Sequence, residues 1–247
     1  MKDNFSYQSA NYAKYRPSYP DALFKYIDSI ASVKEKAWDC GTGNGQVAEK
    51  LSAVFEHVFA SDISSSQIEN GVKKSNIHYS VQAAEQSFFP DDYFDLITVA
   101  QAIHWFDFEK FYREVKRVSK NNGLIVITGY GLCKIDLAMD SLIKNFYNNI
   151  IGNYWDKERK YIDEDYRTIP FPFEEVEAPA FHNVYEWTLE HFIGYLNTWS
   201  AVKHYRTKNN ANPVELIIEK LKECWGEKEK RIIHFPLLLR IGKISKS

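Results

Sequence analysis

Three glycines stand on alternate positions in Asp39-Cys40-Gly41-Thr42-Gly43-Asn44-Gly45-Gln46, after a short strand-like run and ahead of the helix-compatible Val47, Ala48, Leu51 and Phe55. Glycine is needed where a strand turns sharply into a helix and where backbone must meet a ligand with no Cβ between them. The stretch therefore predicts a strand, a nucleotide-type loop and a helix. A second acid, Asp62, closes the run His57-Val58-Phe59-Ala60-Ser61, 21 residues beyond Gly41. A carboxylate at the end of a second strand, about 20 residues from a glycine loop, can accept hydrogen bonds from ribose hydroxyls. Either feature alone has a plainer reading, since strand-end acids cap turns and helices and alternate glycines make tight turns. Their conjunction on successive strands points to a nucleoside site.

The loop is not the dinucleotide fingerprint, which would place glycine at 46, where this chain has Gln46. No lysine follows to complete a phosphate-cradling loop. Asp39, two residues before the first glycine, would repel a pyrophosphate and attract a cation. A ligand with ribose, adenine, ammonium and sulfonium groups but no phosphate meets those demands, and S-adenosylmethionine is that ligand. A nicotinamide-dependent oxidoreductase is disfavoured by Gln46 and Asp39. A protein that keeps the cofactor loop without turnover is the remaining alternative.

The rest of the chain alternates in type. Pro20 with Leu23, Phe24, Ile27 and Ile30 predicts an amphipathic helix to about residue 31. Strands are expected near 36–40, 57–62, 77–82, 94–100 and 123–129, with helices near 46–55, 65–74 and 107–120, the last capped by Asp107. Such alternation implies a mostly parallel Rossmann-like sheet flanked by helices, with its ligand beyond the carboxyl ends of the strands. Asp39, Asp62, Ala84 and Gln101 fall at such ends. Residues 132–182 lose strand periodicity and read as a mostly helical cap insertion. Strand-like segments return at 183–188 and 231–241, the latter split by Pro236, which predicts an edge or a bulge. Seven strands in one domain of 1–247 are expected, with helical runs at 189–205 and 213–225 between the last two.

The glycine loop, Tyr12-Ala13-Lys14-Tyr15-Arg16-Pro17-Ser18-Tyr19-Pro20, Ala60-Ser61-Asp62-Ile63-Ser64, Ala83-Ala84-Glu85 and Ala100-Gln101-Ala102-Ile103-His104-Trp105-Phe106 together resemble the class I S-adenosylmethionine-dependent methyltransferases. The likeness covers roughly residues 5–130 and is similar to the trans-aconitate methyltransferase-like small-molecule branch. It implies a cofactor site made by Tyr15, Arg16, Asp39, Gly41, Gly43, Gly45, Asp62, Ile63, Gln67, Ala83, Ala84 and Gln101. Many members carry an acid for the adenine amino group where this chain has Ala83, so adenine is left to stacking, to backbone near Ala84 or to another residue.

Residues 1–19 read as an arm over the cofactor, with Tyr7, Tyr12, Tyr15 and Tyr19 offering ring faces to a sulfonium and Arg16 pairing a carboxylate. Packing of those rings on the domain is the alternative. His104, after the fourth strand, is the candidate general base or acceptor donor, or else braces its loop with Trp105. Trp105, Tyr195, Trp199 and Arg206 are the candidate acceptor wall, though core packing explains Tyr195 and Trp199 equally well. The leading acceptor is a small carboxylic acid, to be O-methylated.

Composition agrees. At 247 residues with 45% hydrophobic and 15% aromatic residues, the chain can bury a large core. A net charge of −2 without a basic stripe disfavours nucleic acid. Cys40, Cys133 and Cys224 form neither a disulfide framework nor a metal site. No leader or long apolar run is evident, so no membrane association and a cytoplasmic location are expected.

Overall fold

The computed structural model describes residues 14–246, so Tyr7 and Tyr12 of the arm lie outside the described residues. Five strands, β1 (Lys36–Cys40), β2 (His57–Asp62), β3 (Ile77–Val81), β4 (Phe94–Ala100) and β5 (Ser119–Tyr130), pair in parallel in the order β3-β2-β1-β4-β5. β4 is buried along nearly its whole length because helices cover both faces of a parallel sheet. Trp38 of β1 is fully buried, stacked 5.7 Å from Phe94 while its indole N–H donates to Ser61 Oγ at 2.9 Å.

α1 (Asp21–Ile30) precedes β1, and the crossover helices are α2 (Gln46–Leu51), α3 (Ser65–Glu69) and α4 (Phe108–Val118). In α4, Asp107 caps the first turn by accepting from the Lys110 N–H, and Phe111, Tyr112, Val115 and Val118 form the buried stripe. Two helices stop short of their expected ends. α3 ends before Gly71, whose N–H turns back to the Ile68 carbonyl and whose Cα lies against the Tyr79 ring. In α2, the Phe55 and Val54 N–H groups both return to Leu51, tightening the last turn.

Beyond β5 come α5 (Leu137–Asn145), a π-helical turn, short 3₁₀ turns and α6 (Lys160–Asp163), so the insertion is helical through its first two thirds. It then runs extended and adds β6 (Glu174–Glu175) to the sheet, which brings the strand number to eight rather than the expected seven. β7 (His182–Trp187) leads into α7 (Leu189–Asn197), α8 (Ser200–Asn209), a 3₁₀ turn and α9 (Ile218–Trp225). The run expected as one helix over 189–205 breaks at Thr198-Trp199, where Trp199 takes an extended conformation. The long β8 (Arg231–Lys243) is antiparallel, pairing with β7 through Pro236 and with β5 from Leu237 onward. Pro236 thus sits where the strand changes partners. No described helix is long and apolar enough to cross a membrane.

Candidate active site

The glycine loop is held open by backbone geometry. Gly41, Gly43 and Gly45 have φ of 69°, 55° and 86°, the left-handed region that glycine occupies without strain. The Gly41 and Thr42 N–H groups donate to the Ser61 carbonyl at 2.8 and 2.9 Å, tying the loop to the end of β2. Asp62 continues the tie: its two carboxylate oxygens accept from the Gly43 N–H at 2.9 Å and the Ser64 N–H at 3.0 Å. Ser64 in turn caps α3, on which Gln67 is buried.

Asp39 faces inward from the end of β1. It accepts from the Thr42 hydroxyl, from the Thr98 hydroxyl at 2.9 Å and from the Ala48 N–H at 3.1 Å. Burial pushes its carboxyl up to about 6, opposed by those hydrogen bonds and assisted by the nearby Asp62 charge. Because the folded pKa is raised, its stabilising contribution is greatest at low pH and is lost as pH rises through about 6. A bound cation would offset that cost.

Asp39, Gly41, Gly43, Asp62, Ile63, Gln67 and Gln101 line one cleft of roughly 930 Å³, counting its open mouth, at the carboxyl ends of β1, β2 and β4. Thr42, Gln46 and Tyr130 join them. A Cβ added at Gly43 would meet nothing nearer than Gln67 Oε1 at 4.0 Å, so that glycine opens directly onto the cleft. Gln101 has a φ of 54°, a conformation costing a non-glycine residue about 1–2 kcal/mol. Its side chain explains how it is held, since Oε1 accepts from the Tyr130 N–H at 2.9 Å and Nε2 donates to the Tyr130 carbonyl at 3.3 Å. The end of β4 is thereby clamped to the end of β5.

Arg16 also reaches the cleft, donating to Tyr130 Oη at 3.2 Å and to the Thr198 carbonyl at 3.0 Å, which the break between α7 and α8 presents. Its guanidinium lies over the Tyr195 ring. Other residues read as cofactor ligands lie elsewhere. Tyr15 turns away onto α7, where its ring covers Gly194 and meets His191 edge-on. Gly45 faces the Tyr79 hydroxyl, Ala84 is buried with Trp38 in the core, and Ala83 does not line the cleft.

A second, smaller pocket of about 440 Å³, counting its open mouth, adjoins the first, sharing Arg16, Gln101 and Trp105 and adding His104, Trp155, Asp156 and Arg159. His104 is buried, and desolvation, with the Arg159 charge second, holds its pKa down to about 3. It is neutral at physiological pH. Trp199 packs in the core among Phe146, Tyr147, Trp155 and Tyr195. Arg206 bonds Asn197 at the α7–α8 corner and lines neither pocket. Trp155 and Arg159 line this pocket, whereas Trp199 and Arg206 do not. The four-residue spacing of Trp155 and Arg159 is visible in the chain, but nothing in the sequence says which way the insertion folds back.

A doubly wound sheet with a glycine loop, a strand-end acid and a cleft at the switch between β1 and β4 defines a Rossmann-like nucleoside-binding protein. Comparison narrows the class. Residues 38–127 match the family model described as a methyltransferase domain. A Dictyostelium discoideum protein carrying a provisional methyltransferase name is 35% identical over 249 residues, covering 98% of this chain and 95% of its own length. A Saccharomyces cerevisiae protein provisionally named an S-adenosylmethionine-dependent methyltransferase is 23% identical over 260 residues, covering 89% of each chain. A solved structure from Anaeromyxobacter dehalogenans, provisionally described as a type II methyltransferase, superposes with a TM-score of 0.86 at 35% identity, over 94% of this chain and 99% of that one. The chain belongs to the class I S-adenosylmethionine-dependent methyltransferases, and S-adenosylmethionine is its cofactor.

Proposed function

We propose that the enzyme methylates an ionised oxygen of a small carboxylic acid, as in the trans-aconitate methyltransferase-like branch, with the second pocket as its acceptor site. The observation that carries this reading is the presence of two guanidinium groups, Arg16 and Arg159, on the walls of one small pocket that opens beside the cofactor cleft. Guanidinium is the side-chain group best shaped to hold a carboxylate.

Three features of the cleft support the cofactor's place there: Gly43 leaves room for close approach at an open backbone face, Asp62 is fixed by two backbone N–H groups at the mouth of the cleft where a carboxylate can accept from ribose hydroxyls, and Asp39 puts a carboxylate where a cation is favoured. When bound, S-adenosylmethionine supplies an electrophilic methyl group on sulfur. What the protein adds is alignment and exclusion of water, through the Gln101 clamp and the cover that Arg16 and Trp105 make across both pockets. No general base is required, because a carboxylic acid is already ionised at neutral pH and His104 is a neutral imidazole of low basicity.

A screen of small carboxylic acids, phenols and amines tests this reading by product isolation. A base-labile methyl ester is expected, with a rate flat between about pH 7 and 9, since neither the acceptor, Asp39 nor His104 titrates there. A base-stable ether or N-methyl product, with the acids inert, would overturn the carboxylate assignment and leave the methyltransferase standing.

A further inference from the structure

Resting on that reading, we infer that Arg159 and Trp155 form a selective subsite for a planar, singly charged, single-ring acid, not a polycarboxylate. Arg159 is held from behind. Its Nε donates to Tyr147 Oη at 2.7 Å and approaches Asp163 Oδ1 at 3.4 Å, while the Tyr147 hydroxyl itself donates to Asp163 at 2.6 Å. The guanidinium lies over both the Trp155 ring, at 4.7 Å, and the Tyr147 ring, at 5.3 Å. Among the described residues its two terminal nitrogens make no hydrogen bond, although the side chain is only 16% exposed. A fork oriented from one end, with its outer donors unused beside a pocket, is arranged to take a carboxylate in two parallel hydrogen bonds.

The remaining walls select the body attached to that carboxylate. Trp105 and Trp155 both line the pocket, with the neutral His104 ring 4.8 Å from Trp105, so the space is bounded by aromatic surfaces that favour a flat, apolar ring. Charge selects against further acidic groups. Two guanidiniums, Arg16 and Arg159, line the pocket with one carboxylate, Asp156, while Asp163 pairs with Arg159 from behind, so the pocket holds at most one uncompensated positive charge. His104 contributes none. One carboxylate balances that charge, whereas a second or third would be buried without compensation.

The test uses the full chain saturated with S-adenosylhomocysteine and titrated with four probes: benzoate, benzyl alcohol, cyclohexanecarboxylate and propane-1,2,3-tricarboxylate, followed by calorimetry. Benzoate is expected to bind tightest. Arg159→Met should weaken benzoate at least about tenfold, consistent with loss of a charge-assisted pair, and leave benzyl alcohol unchanged. Trp155→Leu should weaken benzoate more than cyclohexanecarboxylate. Affinity for S-adenosylhomocysteine, unchanged in both variants, verifies that they are folded. If Arg159→Met does not fold, Arg159→Lys serves instead, since it keeps the charge but loses the fork and is expected to weaken benzoate severalfold. Equal benzoate affinity in wild type and a folded Arg159 variant, or tighter binding of the tricarboxylate, would overturn the subsite. Methyl ester formation from other acids would then leave the broader carboxylate reading intact, and failure of every acid to bind or react would remove both.

Discussion

Replacing Gly45 with valine will destabilise the fold by about 4 kcal/mol, the largest effect expected of any single change in the cofactor loop. Three costs combine. A non-glycine residue at the φ of 86° found there loses about 1–2 kcal/mol. A Cβ would lie 2.1 Å from the Tyr79 hydroxyl, an overlap whose relief by movement costs about 1–3 kcal/mol. Moving Tyr79 also breaks its 2.9 Å hydrogen bond to the Val72 carbonyl, worth about 1 kcal/mol. For a chain of this size that amounts to a fall of roughly 10 °C in Tm. Thermal unfolding followed by circular dichroism reads it directly. Gly45→Ala carries the same Cβ at the same φ and should fall nearly as far, and a Tm unchanged in the valine variant would mean the loop relaxes around Tyr79 freely.

Asp62→Ala should weaken S-adenosylhomocysteine binding about thirtyfold, or about 2 kcal/mol, by removing charge-assisted hydrogen bonds to ribose. Two effects are compounded in that number. The carboxylate also holds the Gly43 and Ser64 N–H groups, so the alanine variant loosens the loop that must meet the ligand. Asp62→Asn separates them, because one amide oxygen can still accept from the backbone while the charge is gone. An intermediate affinity is expected for it, and calorimetric titration of the three proteins gives the order. Equal affinity in all three would place the ribose elsewhere.

The parallel half of the fold was legible because its signals are local. Apolar runs, glycine punctuation and the Asp107 cap each act within a few residues, and β1, β2 and β4 begin and end where those signals do. The cleft residues followed for the same reason: Asp39, Asp62 and Gln101 sit at strand ends, and strand ends in a parallel sheet converge. What could not be read depends on contacts distant in sequence. Whether Tyr15 faces the cleft or covers Gly194 is decided by α7, nearly two hundred residues away. Trp199 and Arg206 carry the same residue types as Trp155 and Arg159, and only the fold of the insertion puts the second pair beside Arg16. β6 is two residues long, too short for periodicity to register. The neutral state of His104 likewise comes from its burial by the insertion, with Tyr166 stacked alongside.

S-adenosylmethionine is expected to bind in the cleft onto which Gly43 opens. Titration of S-adenosylhomocysteine into wild type and into Gly43→Val, by calorimetry, tests it most directly. A Cβ at Gly43 meets no atom nearer than 4.0 Å, and the backbone conformation costs a non-glycine residue about 1–2 kcal/mol, more when it is β-branched, so circular dichroism of the variant checks that it is folded while its side chain occupies the ligand's place. Saturable one-to-one binding to wild type and none to the folded variant is the predicted result. No binding to wild type, or undiminished binding to Gly43→Val, would contradict it.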